Sequence, residues 1–290
     1  MNIKKNIIYK IYRKIAKLPR EAKSLINRDR IILDNPDRKA VENQVNLQWY
    51  SECRLDGKEN IGDYLGVPIF HYMLERFSIC QDKDVGKTKH LYTVGSIIFF
   101  GHQNATIWGS GLLCKPKFLF PKPKLDIRAV RGPNTRRELL KLGYECPEVY
   151  GDPGILMPLV YTPNCINKTK EYGVIYHKAV TLSVDNRIAI MDTDYRQVIN
   201  QIVSCKLIIS SSLHGIILAE AYGVPAILLK DNRTDFSLFK YEDYYYSTGR
   251  TTFPVVSSIE EALHTIPANI PELNQMRKQL LEVFPKDLWE

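Results

Sequence analysis

The chain has 290 residues, 44% hydrophobic and 25% charged, a globular composition with room for one large domain or two of ordinary size. Its net charge of +8 sits in one segment: residues 1–30 hold ten Lys/Arg and two acids, and the rest carries thirty of each sign. This weakens the case for a nucleic-acid binder working through a basic body; no stretch of about 18 apolar residues offers a transmembrane helix, and no CxxC pair marks a zinc site or disulfide framework.

The first element predicted is a basic amphipathic helix within residues 1–18. Ile3, Ile7, Ile8, Ile11, Tyr12, Ile15 and Leu18 share one side of the wheel, and Lys10, Arg13, Lys14 and Lys17 the other. Such a helix either lies on an anionic membrane surface or packs on the protein's own body. Pro19 ends it, and 20–40 reads as a polar linker. From residue 41 onward, strand-like and helix-like segments alternate, which predicts parallel α/β units. In order they are strands at "IIFFG" (97–101), "IWGSGLL" (107–113) and "IRAVRG" (127–132), then a helix at "TRRELLKLG" (135–143) capped by Asn134. A turn-rich "GDPGILMP" (151–158) follows, then a strand in "EYGVIYH" (171–177) and a helix in "YRQVINQIVSC" (195–205). "SIEEALHTI" (258–266) opens with a Ser258/Glu261 capping box, and "PELNQMRKQLLEVF" reads as a last helix. The Pro/Asn/Thr-rich stretch at 161–171 divides the chain into a domain at 41–162 and another at 163–290, the last helix packing back across the cleft.

The most informative stretch is "KLIISSSLHGIILAEAYGVPAILL" (206–229). A short β-branched run predicts a buried strand, Ser211 or Ser212 a helix N-cap, Gly223 the helix stop, and "VPAILL" the next strand. His214 then falls in the first helical turn at a strand's carboxyl end, where open α/β sheets bind ligands and a helix start favours anions. It either donates to, or shuttles a proton for, an anionic ligand, or it caps its own helix. Gly215 would let a ligand approach the backbone.

Other loop positions carry chemistry or architecture. Asp63, after a glycine in "ENIGDYLG" (59–66), is either a general base or a helix cap. Ser110 in "WGSG" cradles an anion or shapes a tight turn. Arg131 in "VRGPNTRR" clamps a carboxylate or phosphate, or makes an ion pair. Asp152 in "YGDPG" and His177 in "IYHK" are polar ligands or ordinary loop residues. The tyrosines at 244–246 stack on a sugar or pack a domain. No P-loop, HExxH, GxSxG or metal-ligand cluster is present, and no metal site is expected.

Taken together, "NIGDYLG", "IWGSGLL", "VRGPNTRRELLKLG", "YGDPGILMP", "GVIYHK" and "SSLHGIILAEAYGVPAILL" resemble the polysaccharide pyruvyl transferase family across roughly residues 59–230. The resemblance implies two Rossmann-like domains in a GT-B-like arrangement, an acceptor-side first domain and a donor-side second. It implies transfer of a pyruvyl unit from phosphoenolpyruvate, as co-substrate and without a cofactor, onto a sugar of a surface polysaccharide as a ketal. His214 and Asp63 become the catalytic candidates. Arg131, Ser211, Ser212, Gly215, Asn60, Gly62, Ser110, Asp152 and His177 become the substrate-binding candidates. Some family members carry Arg-Leu-His-Gly where this chain has Ser212-Leu213-His214-Gly215, and Arg131 is the first candidate for the displaced cation. The expected partners are phosphoenolpyruvate, a glycan acceptor on a lipid carrier, and an anionic membrane surface, with no nucleic acid. The expected location is cytoplasmic, peripheral on the inner face of the cytoplasmic membrane. A GT-B glycosyltransferase using a nucleotide sugar and a non-catalytic polysaccharide-assembly protein are the alternatives.

Overall fold

The computed structural model describes residues 40–51, 58–100, 104–115, 124–164, 167–177, 184–230 and 237–290. The amphipathic helix expected within residues 1–18 and its linker lie outside the described residues.

Two four-stranded parallel sheets follow one another along the chain. The first contains β1 (Val45–Gln48), β2 (Lys89–Tyr92), β3 (Ala105–Trp108) and β4 (Leu125–Ala129), in that order across the sheet. Helices α1 (Ile61–Tyr64) and α2 (Gly66–Arg76) join β1 to β2, and α3 (Pro133–Lys141) follows β4. A parallel bridge from Val130 to Tyr150 extends the sheet beyond β4. A 3₁₀ turn at Pro153–Leu156 and the short α4 (Met157–Val160) come next. The second sheet holds β5 (Gly173–Ile175), β6 (Ile208–Ser210), β7 (Ala226–Leu229) and β8 (Val255–Val256). Its helices are α5 (Tyr195–Val203), α6 (Leu213–Ala221), α7 (Phe239–Ser247) and α8 (Ile259–Leu263). Helix α9 (Asn274–Glu282) and a last 3₁₀ turn at Lys286–Trp289 end the described elements. This is a mixed α/β architecture of two parallel four-stranded sheets, consistent with the expected Rossmann-like, GT-B-like arrangement.

Most strands are buried on both faces and rich in Ile, Leu, Val and Ala, as parallel sheets covered by helices require. One buried apolar cluster runs from Val45 and Leu91 through Trp108 and Ile155 to Ile208 and Leu228, so the two sheets share a core. The C-terminal segment belongs to the first sheet. Trp108 Nε1 donates to Leu280 O at 2.9 Å, and Phe284 packs edge-on against Trp108 with ring centroids 5.0 Å apart. Arg128 grips Asp287 through two hydrogen bonds of 3.1 and 2.7 Å. Those bonds hold the Asp287 carboxyl below the usual carboxylate range. Its contribution is therefore present above the unfolded carboxylate pKa and lost as pH falls; half exposed, it is worth about 1 kcal/mol or less.

Two local expectations are corrected. "IIFFG" is not a strand: Ile98–Phe100 form a 3₁₀ turn, and a short apolar run does not distinguish a buried turn from a strand. The cap of α3 is Gly132, not Asn134. Gly132 has no side chain to cap with, and the acceptor comes from α7: Asp243 Oδ1 takes the Thr135 N–H at 2.8 Å. At Ser258 the expected cap forms, with Ser258 Oγ accepting from Glu261 N at 3.0 Å, while Glu261 reaches back to Ser257 N at 2.7 Å.

Candidate active site

Strand order reverses in the second sheet. Residues 186–188 add to the outer side of β5, with Val174 N donating to Asn186 O and Ile188 N to Val174 O. The chain then returns to place β6, β7 and β8 on the other side of β5. A crevice opens at the carboxyl ends of the two strands flanking such a reversal. Here those ends are stitched together: Ser211 N donates to Ile175 O at 2.9 Å, and His177 N donates to Ser211 Oγ at 2.8 Å. Ser210 Oγ donates to Ser212 O and accepts from Ser212 N, which folds the 210–212 turn onto itself.

Helix α6 leaves this crevice. Eight of its nine residues are buried, all except His214. An apolar helix buried on all sides thus presents one ionisable ring at its start. Ser212 is the N-cap residue and makes no side-chain cap bond, so the positive end of the helix lies beside the His214 ring without a side-chain acceptor from its cap residue.

Two segments converge on the ring. Asp152, fully buried, sits after the Tyr150 bridge at the carboxyl end of the first sheet. Its Oδ1 accepts from Gly154 N at 2.9 Å, and its Oδ2 lies 3.5 Å from His214 Nε2. The His214 side chain keeps 13% exposure, Asp152 none. Neither Oδ2 nor Nε2 has a hydrogen-bond partner among the described residues. From the other side comes Gly62 of α1, where a Cβ would lie 2.7 Å from both Cβ and Cγ of His214 and closer still to Nδ1. Helix α1 is fixed here by Asn60, which caps Gly62 N at 3.0 Å, and by Ile61 N, which donates to Ile190 O at 2.7 Å. His214 is thus held between the two halves, with Nε2 facing Asp152 Oδ2 and Nδ1 facing Gly62. Gly62→Ala is expected to tilt the ring out of this slot. It should lower turnover at least 100-fold while costing about 1–3 kcal/mol in urea unfolding, the usual penalty for overpacking.

The remaining sequence candidates separate into those at the crevice and those elsewhere. Asp63 follows Gly62 and is half-buried, its Oδ1 3.6 Å from where a Cβ on Gly95 would sit. It is not the cap of α1, since Asn60 serves that role. Ser211, Ser212 and His177 line the stitched strand ends. Asp152 is corrected from a ligand contact to the carboxylate behind His214, because it has no exposed surface. Gly215 is corrected too: a Cβ there would meet Ser210 Oγ and Ile175 Cγ2, the latter at 3.0 Å, so the glycine packs the helix onto its sheet. Ser110 is fully buried and donates to Gly95 O at 2.9 Å, shaping the turn after β2 and no anion cradle.

Arg131 departs most from expectation. It has no exposed surface, and its guanidinium is consumed inside the protein. Nε and Nη2 reach Asp243 Oδ2 at 3.1 and 3.0 Å, Nη1 donates to Ser96 Oγ at 2.7 Å, and Nη2 to Leu112 O at 2.6 Å. A Cβ on Gly111 would collide with this guanidinium. The cation that sequence reasoning assigned to the donor is therefore a structural tie to α7. In the sequence that helix shows only as an aromatic stretch. Tyr244 and Tyr245 are fully buried, so neither stacks on a sugar. Tyr241 donates to Ser211 O at 2.8 Å and so braces the crevice from behind. The Tyr241, Tyr244 and Tyr245 spacing of three and four residues is a helical signal that could have found it.

Residues 122–232 match the family model described as polysaccharide pyruvyl transferase. The match covers 111 of the 290 residues and likens that segment, not the whole chain, to the family. Asp152, His177 and the 211–215 turn fall inside the matched segment, whereas Asn60, Gly62 and Asp63 fall outside it. An uncharacterised protein of Acanthamoeba polyphaga mimivirus is 27% identical over 201 residues, which is 64% of this chain and 69% of that protein. A crystal structure of a functionally uncharacterised protein of Klebsiella pneumoniae subsp. pneumoniae aligns at 16% identity with a TM-score of 0.44, covering 79% of this chain and 98% of that one. Among the described residues, no helix is long and apolar enough to cross a membrane.

Proposed function

We propose that this protein is a pyruvyl transferase, moving the pyruvyl unit of phosphoenolpyruvate onto two hydroxyls of a sugar, forming a ketal and releasing phosphate. The observation that carries the reading is His214, the one unburied residue of α6, standing at an uncapped helix start with a buried carboxylate behind it. The donor is a small dianion-to-trianion, and the positive end of α6 with an imidazole N–H suits it better than a neutral ligand.

The chemistry balances on two protons. One sugar hydroxyl attacks C2 of the enol, C3 gains a proton to become a methyl group, the C2–O bond to phosphate breaks, and the second hydroxyl closes the ketal. Of the two hydroxyl protons displaced, one is matched by the methyl and the other leaves on phosphate. His214 Nδ1 delivers a proton on this route, with the Nε2 proton held against Asp152 Oδ2. The 3.5 Å separation shortens on donor binding, as catalytic hydrogen bonds commonly do. Asp63, one residue beyond the glycine that touches the ring, takes a proton from the acceptor. The acceptor is a sugar of a surface polysaccharide repeat unit. With phosphoenolpyruvate and that glycan present, phosphate release should depend on both, and the glycan should gain the mass of one pyruvate ketal. His214→Ala should lower the rate about 10²–10⁴-fold. Turnover near that of the unaltered protein would remove His214 from the mechanism.

The basic segment 1–18 supports placement on an anionic membrane, where a carrier-linked acceptor would lie. Each Lys or Arg near such a surface contributes about 1 kcal/mol. Deleting residues 1–20 should reduce co-sedimentation with phosphatidylglycerol vesicles and leave activity on a soluble acceptor within about threefold. Unchanged sedimentation would exclude the segment as an anchor.

A further inference from the structure

A groove of about 730 Å³ lies away from His214, between the end of α4 and the outer face of α5. Tyr161, Tyr195, Arg196, Asn200 and Gln201 are among the residues that line it. The Arg196 guanidinium lies over both rings, 5.1 Å from the Tyr195 centroid and 6.0 Å from that of Tyr161, and the two rings meet edge to face. Among the described residues no carboxylate lies within ion-pair distance of it. Arg196 occupies the first turn of α5, where the helix dipole already disfavours a cation. The nearest acid in sequence, Asp194, also lines the groove, and its Oδ1 caps Arg196 N and Gln197 N. Asn200 uses its carbonyl oxygen to accept from Tyr161 OH at 2.9 Å, which leaves its two N–H donors uncommitted among the described residues. An oriented guanidinium, aromatic walls and spare amide donors are the groups that recognise a sugar bearing a carboxylate.

A short stretch of backbone links the groove's rim to the active site. Ile190 O accepts from Ile61 N, and Met191 bridges Asn60, beside the glycine that touches His214. Three residues later Thr193 forms the groove's rim, at most about 10 Å of extended chain away. We infer that this groove is an acceptor subsite that holds a carboxylate-bearing sugar of the glycan chain, one or more residues from the sugar being modified. This rests on the proposed transfer to a polysaccharide for its purpose, but not for its chemistry.

Binding of tetragalacturonate to the full-length protein, measured by calorimetry without phosphoenolpyruvate, tests it. Saturable binding is expected, weakened at least tenfold by Arg196→Gln or by methyl esterification of the saccharide, and unchanged by His214→Ala. Arg196 is exposed, so its replacement should leave the melting temperature unaltered. Absence of saturable binding at millimolar tetragalacturonate would overturn the inference, as would equal affinity for the methyl ester or for the Arg196→Gln protein. Binding of the saccharide by a protein that releases no phosphate from phosphoenolpyruvate would sustain the subsite and sink the ketal chemistry. Phosphate release with no saccharide binding would do the reverse.

Discussion

Replacing Asp152 with asparagine should lower kcat for phosphate release from phosphoenolpyruvate by about 10²–10³-fold, with a much smaller change in KM. The two residues are nearly isosteric, and asparagine keeps the oxygen that caps Gly154 N at 2.9 Å, so the turn at Pro153–Leu156 survives. What changes is the atom facing His214 Nε2. A carboxylate oxygen accepts from a proton on Nε2 and so fixes the tautomer and orientation of the ring. An amide NH₂ in its place presents a donor to Nε2 and favours the other tautomer. The Asp152→Ala protein should share the loss of turnover and lose a further ~1 kcal/mol of stability, because the cap goes as well. Steady-state rates with urea unfolding of both variants separate the two roles. A kcat for Asp152→Asn within threefold of the unaltered protein would show that the carboxylate does nothing for the ring.

Replacing Arg131 with leucine should cost about 3–5 kcal/mol, because it strands the Asp243 carboxylate in a site with no exposed surface. Against a typical total of about 5–15 kcal/mol this is a large fraction, and much of the protein should be recovered unfolded at 37 °C. Asp243 also accepts from Thr135 N and Thr135 Oγ1, at 2.8 and 2.6 Å, so the lost guanidinium loosens the start of α3 and its contact with α7. Replacing Asp243 by asparagine in the same chain removes the stranded charge while keeping an acceptor for Thr135 N, and should restore part of the loss. If Arg131 instead held the donor, the leucine protein would unfold at the usual urea concentration and show a collapsed kcat/KM for phosphoenolpyruvate. Paired measurement of urea midpoint and kcat/KM decides between the two.

The fold was legible wherever local chemistry and burial agree. The 206–229 unit reads correctly because an apolar β-branched run, a serine at the helix start, Gly223 at +72° and Pro225 all mark the same boundaries. His214 could be placed at a strand's carboxyl end from that unit alone. Its partners could not: Gly62 and Asp152 lie far from it in sequence, and nothing local to "GDPG" shows which way its carboxylate turns. Arg131 failed for the same reason on a larger scale. Its partner Asp243 is 112 residues away, on a helix whose aromatics pointed to packing while its one consequential acid drew no notice. Gly215 illustrates the reverse error, since a small residue beside a candidate ligand site was needed for close packing on Ile175.

The central claim is that the His214 ring, seated between Gly62 and Asp152 at the uncapped start of α6, receives phosphoenolpyruvate. Calorimetric titration of phosphoenolpyruvate into the intact protein and into His214→Ala tests it most directly. Saturable one-to-one binding that weakens at least tenfold on loss of the imidazole is the predicted result. Indistinguishable isotherms for the two proteins, or no binding to either at millimolar donor, would contradict it.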